Sequence, residues 1–137
     1  MELPKRPSPS ASADPRASGG PVGGHVLVVE PDHLTMWSLA AYLRRWFAVD
    51  TTNCRVEAEK LLHDQTFAAV IVSDQLPARA TESLLQLARR TNPQVRAVLL
   101  VTGVAEARAL AACDARIEKP FELAALARLL GIEDGRG

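Results

Sequence analysis

From His25 onward the chain alternates two patterns of hydrophobic positions. Short, unbroken apolar runs alternate with stretches whose apolar residues return every three or four positions. Val26–Val29 is apolar at every position and stops at Glu30. Met36, Leu39, Ala40, Leu43 and Phe47 then share one helical face, and Asp32 stands where a helix N-cap belongs. Ala48–Thr52 reads as a second strand. Arg55–His63 reads as a second helix, with Val56, Leu61 and Leu62 expected to turn inward. Ala68–Val72 is a third strand, apolar throughout. Thr81–Arg90 is a helix carrying Leu84, Leu85 and Ala88, stopped before Pro93. Val95–Val101 is a fourth strand and Ala105–Ala112 a short helix. Ala115–Ile117 is a fifth strand, and Glu122–Leu130 a last helix ending at Gly131.

Strands apolar on both faces need helices on both faces of their sheet. Regular alternation of strand and helix predicts parallel strands joined by right-handed crossovers. In such sheets the functional edge lies beyond the carboxyl ends of the strands. Polar groups collect there: Glu30 after the first strand, Ser73 and Asp74 after the third, Thr102 after the fourth and Lys119 after the fifth.

Composition narrows the picture. At 137 residues and 47% hydrophobic, the chain has room for one domain with an ordinary core. Lysine plus arginine (16) equals aspartate plus glutamate (16), which offers no footprint for nucleic acid or an anionic membrane. No apolar run reaches the roughly 18 residues of a membrane span. The start of the chain has no apolar secretory core. Cys54 and Cys113 show no metal-ligand or disulfide spacing, consistent with free thiols and a cytoplasmic location. Residues 1–24 hold five of the nine prolines and four of the eight glycines, so a disordered tail is expected, with a Pro-rich docking peptide as the alternative. The folded domain is expected over 25–131, followed by a short tail at 132–137.

Carboxylates at neighbouring strand ends can hold a divalent cation and present one aspartate to a phosphoryl donor, while Thr and Lys bind the remaining oxygens. At this point the chain resembles the receiver domains of two-component signalling. Val-Val-Glu-Pro-Asp at 28–32, Val-Thr-Gly at 101–103 and Glu-Lys-Pro-Phe at 118–121 carry the resemblance, which spans about His25–Gly131. It implies a flavodoxin-like (βα)5 fold, a parallel five-stranded sheet in the order 2-1-3-4-5. It also gives Thr102 the place of the hydroxyl that contacts a phosphoryl group. Lys119 takes the place of the site lysine, and Pro120 that of its usual cis-bonded neighbour.

The departures bear on function. Glu30 and Pro31 stand where the family has an acidic pair, and proline supplies no Mg²⁺ ligand. Pro77, Phe67 and the Leu84-Leu85 pair all align Ser73 with the acceptor aspartate. Asp74 becomes the acceptor only with a one-residue gap before Pro77. Side chains alternate along a strand, so Asp74 should face away from the pocket if Ser73 faces it, unless the strand has already ended. Arg116 replaces an aromatic that in the family couples site and output, and a guanidinium does not fill an apolar slot. The fourth helix is expected to be trimmed.

With the acceptor missing, Lys119 is expected to form an ion pair with Glu30 or Asp74. His33 reads as a solvated first-turn residue. Of Trp37 and Trp46, one is expected in the core and the other free to anchor a partner. The leading expectation is a stand-alone, degenerate pseudo-receiver, not an enzyme and without a cofactor. It would bind a sensor histidine kinase or other signalling protein in trans, through the last strand and its flanking helices. The alternative is a conventional receiver in a phosphorelay, phosphorylated on Asp74 with Mg²⁺ held by Glu30 and Asp74, helped by Asp32. A nucleotide-binding enzyme fits poorly, since no glycine-rich phosphate loop follows the first strand. No helix-turn-helix segment follows Leu130, so output is expected through partners.

Overall fold

The computed structural model describes residues 24–103 and 107–131. The expected tails, apart from Gly24, lie outside these residues, as does the expected start of the fourth helix at Ala105. Five strands alternate with five helices: β1 His25–Val29, α1 His33–Leu43, β2 Ala48–Thr52, α2 Arg55–Asp64, β3 Ala69–Ser73, α3 Ala78–Thr91, β4 Arg96–Val101, α4 Ala107–Ala112, β5 Ala115–Glu118 and α5 Leu123–Leu129. The strands form one parallel sheet in the order β2-β1-β3-β4-β5, as expected.

The pleat divides the core in two. Val26, Val28, Ala69, Ile71, Val98 and Leu100 pack with Leu39, Ala40 and Leu43 of α1 and Leu126 and Ala127 of α5. Leu27, Val29, Val70, Val72, Leu99 and Val101 pack with Ala58 and Leu62 of α2, Leu84, Leu85 and Ala88 of α3, and Ala109 of α4. Strands apolar at every position are therefore buried on both sides.

Local chemistry sets the helix ends. Asp32 caps α1, accepting from the Thr35 N–H at 2.9 Å and from the Thr35 hydroxyl. Those two bonds, the hydroxyl first, hold its carboxyl below the usual range. At α2 the capping passes to a neighbour. The Thr52 hydroxyl accepts from the Cys54 N–H at 3.2 Å and donates to Glu57 at 2.7 Å. Gly131, just past α5, takes φ +89, which favours glycine.

Some sequence expectations need correction. Val56 is 66% exposed, while Ala58 and Leu62 carry the buried face of α2. At about 100° per residue Val56 lies roughly 160° from Ala58, so both cannot face the sheet. Phe47 is buried, but not on α1. The helix stops at Leu43, and a turn closed by the Phe47 N–H on the Leu43 carbonyl carries the ring inward. α3 begins a turn earlier than expected, because Pro77 precedes it with φ −53 and its carbonyl accepts from Ala80 and Thr81. β3 is displaced by one residue, β4 starts one residue later and β5 runs one residue further than expected.

Asp114 ties three elements together. Its carboxylate accepts from the Ala97 N–H at 2.7 Å and from Arg89 at 2.9 Å. Partial burial pushes its carboxyl up, but those bonds and the charges of Arg89 and Arg96 outweigh it, leaving the pKa lowered. A lowered carboxylate stabilises the fold above its unfolded value, near pH 3.9, and the contribution fades as pH falls through the lower folded value. Asp114→Asn, which keeps an acceptor for the Ala97 N–H but loses the charge that Arg89 meets, should therefore lose up to about 1 kcal/mol at pH 7 and flatten the acid limb of the stability curve. Urea unfolding between pH 2 and 7 reads this directly. An unchanged acid limb would assign the pH dependence to other carboxylates.

Candidate functional site

The carboxyl edge of the sheet brings Glu30, Ser73, Thr102 and Lys119 to adjacent strand ends. Val29 pairs with Val72, Ser73 with Leu100 and Val101 with Glu118, so one step further Glu30 stands beside Ser73 and Thr102 beside Lys119. The pleat supplies the direction. Val28, Ile71, Leu100 and Ile117 face α1 and α5, so the residues two positions on, Glu30, Ser73, Thr102 and Lys119, fall on the same parity. Asp74 has the opposite parity, shared with Val70 and Val72.

Glu30 and Ser73 are fully buried. Glu30 Oε1 accepts from Lys119 Nζ at 2.6 Å, and its Oε2 accepts from the Asp32 N–H at 2.9 Å. Lys119 makes the ion pair with Glu30, not with Asp74. A second bond from Lys119 Nζ goes to Gln75 Oε1 at 2.7 Å. The Lys119-Pro120 bond is cis. Ser73 Oγ accepts from the Gln75 N–H at 3.0 Å, and the Ser73 carbonyl accepts from the Thr81 hydroxyl at 3.1 Å. β3 ends at Ser73, although the Asp74 N–H extends the ladder by donating to Leu100 at 2.9 Å. Both Asp74 carboxylate oxygens then lie 3.0 Å from the Thr102 N–H.

Glu30, Ser73, Thr102 and Lys119 thus share one edge. Asp74 lies at the same edge but is directed at the β4 terminus. Arg116 is exposed on β5, paired in register with Leu99. His33 is exposed in the first turn of α1. Gln75 and Thr81 escaped the sequence reading. Gln75 had one usable signal: it lies two residues after Ser73, on the same parity.

Magnesium takes near-octahedral oxygen ligands at about 2.1 Å. The carboxylates here do not offer such a set. Glu30 is engaged on both oxygens, Asp74 turns to a backbone amide, Asp32 caps α1, and Pro31 has no donor. As arranged, these residues do not fit the ion. Among the described residues no group of three His, Cys, Asp or Glu is placed to hold a metal.

Beside the ion pair lies a groove of about 560 Å³ between α1 and the β5–α5 segment. Leu34, Leu39, Pro120, Phe121 and Leu123 give it apolar walls, and Thr102 and Lys119 lie at its polar end. Leu34 is 73% and Trp37 69% exposed on the adjacent face of α1, while Trp46 packs against the core. No described helix is long and apolar enough to cross a membrane.

This sheet order with its polar carboxyl edge is the fold of response-regulator receiver domains. No protein-family model matches the chain, and no curated protein matches it. Solved structures do. The receiver domain of a sensor histidine kinase from Pseudomonas aeruginosa, with magnesium in its active-site cleft, is 23% identical at TM-score 0.68, over 79% of this chain and 94% of that one. A response regulator from Burkholderia pseudomallei, with a phosphorylated aspartic acid, is 25% identical at TM-score 0.69, over 77% of this chain and 65% of that one. A receiver domain protein from Clostridium thermocellum is 15% identical at TM-score 0.70, over 82% and 94%. These neighbours share the receiver fold with this chain.

Proposed function

We propose that this chain is a degenerate receiver, a signalling module rather than an enzyme, which works by binding a partner protein without being phosphorylated. The observation that carries this reading is the engagement of Lys119 by two oxygens of the chain itself. Its ammonium is held between Glu30 and Gln75, 2.6 and 2.7 Å away. A serine, fully buried, stands between β1 and β4 where an acceptor carboxylate would be needed. A serine hydroxyl whose neighbouring carboxylate, Glu30, is engaged on both oxygens does not take a phosphoryl group by the route an aspartate uses. Asp74, the alternative acceptor, is engaged by the Thr102 amide and has the other pleat parity.

The docking surface proposed is the groove between α1 and the start of α5, and its occupant an amphipathic helix of a sensor kinase or similar signalling partner. Leu34 and Leu39 line the groove from α1 and Phe121 and Leu123 from the other side, while Trp37, three residues from Leu34, lies on the neighbouring exposed face of α1. Of the three large exposed apolar residues among those described, two lie on α1 and one on α2, so the proposed contact takes in α1 together with the start of α5, a helix of the face first expected.

The test is an amide NMR titration with Mg²⁺ and then beryllofluoride, an acylphosphate mimic, on wild type and Asp74→Asn. The expected result is no saturable response at Glu30, Asp74 or Gly103 at millimolar Mg²⁺. Saturable shifts in wild type that vanish in Asp74→Asn would overturn the proposal and make Asp74 a phosphoacceptor.

A further inference from the structure

The short segment between β3 and α3 sends two successive side chains across the sheet edge. Asp74 reaches the end of β4, where both carboxylate oxygens meet the Thr102 N–H. Gln75 reaches the end of β5, where its amide oxygen takes Lys119 Nζ. The segment is itself anchored. Ser73 Oγ holds the Gln75 N–H, and the Thr81 hydroxyl holds the Ser73 carbonyl from inside α3. A fixed base with two outstretched arms is a geometry that transmits position.

What the arms hold is the polar end of the groove. Thr102 and Lys119 line it; Asp74 and Gln75 do not. Lys119 leads through Pro120 into Phe121, which forms the apolar wall opposite Leu34 and Leu39. A change at residue 74 or 75 would therefore alter the groove without removing any atom that lines it. Interfaces depend on preorganised walls, because ordering a wall on binding subtracts from affinity.

We propose that Asp74 and Gln75 are positioning residues that fasten the β4 and β5 termini and so set the shape of the groove. The inference rests on the groove being the docking surface, but its geometric half stands without a partner. In place of a group added and removed by a kinase, two side chains of the chain itself hold the ends of β4 and β5 permanently.

Hydrogen exchange followed by NMR tests this on the full chain. The reporters are the Lys119 N–H, which donates to Val101 at 2.8 Å, and the Leu126 N–H, which donates to Glu122 in the first turn of α5. Neither is bonded to residue 74 or 75. In Asp74→Ala/Gln75→Ala both should exchange about tenfold faster, the effect of losing one or two hydrogen bonds from a local unit. The Glu30 N–H, which donates to Thr52 on the far side of β1, should keep its rate. Asp74→Asn and Gln75→Glu, which retain an acceptor oxygen at each place, should restore wild-type exchange. Unchanged Lys119 and Leu126 rates in the double alanine variant would overturn the proposal, and so would equal acceleration of Glu30, which signals general destabilisation. Should Trp37→Ala leave partner affinity intact while the exchange pattern holds, the docking reading fails and the positioning role stands.

Discussion

Lys119→Ala should destabilise the protein by about 3–5 kcal/mol, among the largest losses available from one surface-edge residue. The reason is asymmetric burial. The Lys119 side chain is 15% exposed and that of Glu30 0%. Removing the lysine leaves a carboxylate sealed from water that keeps the Asp32 N–H on its other oxygen. The reverse change is milder. In Glu30→Gln the side chain keeps an acceptor for the ammonium and remains close in shape, and Lys119 keeps Gln75. Replacing both partners by apolar residues of matching size, as in Glu30→Leu/Lys119→Met, should recover much of the loss, since no buried charge then lacks a partner. Urea denaturation of wild type and the three variants reads this order of stabilities. A Lys119→Ala loss below about 1 kcal/mol is what a solvated surface pair gives, and it would contradict the burial of Glu30.

Trp37→Ala should weaken partner binding about 30-fold or more while changing stability by no more than about 0.5 kcal/mol. An indole 69% exposed contributes little to the fold, so its removal leaves a small hole in nothing. A large aromatic beside an apolar groove is instead the usual anchor of an interface. Isothermal titration against a kinase or phosphotransferase helical domain that binds the wild type measures the effect. Val56→Ala serves as the control, an equally exposed apolar residue on a helix that packs against the other side of the sheet. Equal weakening by both changes would point to a general loss of apolar surface. Weakening by Val56→Ala alone would move the interface to α2.

Val26–Val29, Val70–Val72 and Val98–Val101 declare buried parallel strands because an element covered on both faces must be apolar at every position. Asp32 declares a helix start because a short acceptor side chain satisfies amides that have no carbonyl partner. Val56 misled because one apolar residue fits more than one helical face, and the winning face is chosen by what it packs against. Phe47 misled in the same way: helical spacing continued for a residue after the helix itself had ended.

The site divides along the same line. That Glu30, Ser73, Thr102 and Lys119 meet at one edge was legible, because strand order and pleat parity place strand-end residues without further information. The direction of each polar group was not. Lys119 had two carboxylates within plausible reach by sequence, and only the structure awards it to Glu30 and adds Gln75. Asp74 could serve as a ligand, an acceptor or a tie, and only the structure turns it onto the Thr102 amide. The chain by itself determined a parallel, doubly covered sheet with a polar carboxyl edge. Those follow from periodicity and residue type, which are local. Which oxygen each amine and amide takes, and where an apolar groove stays open, depends on distances between segments remote in the chain, and these exist only once the sheet has closed.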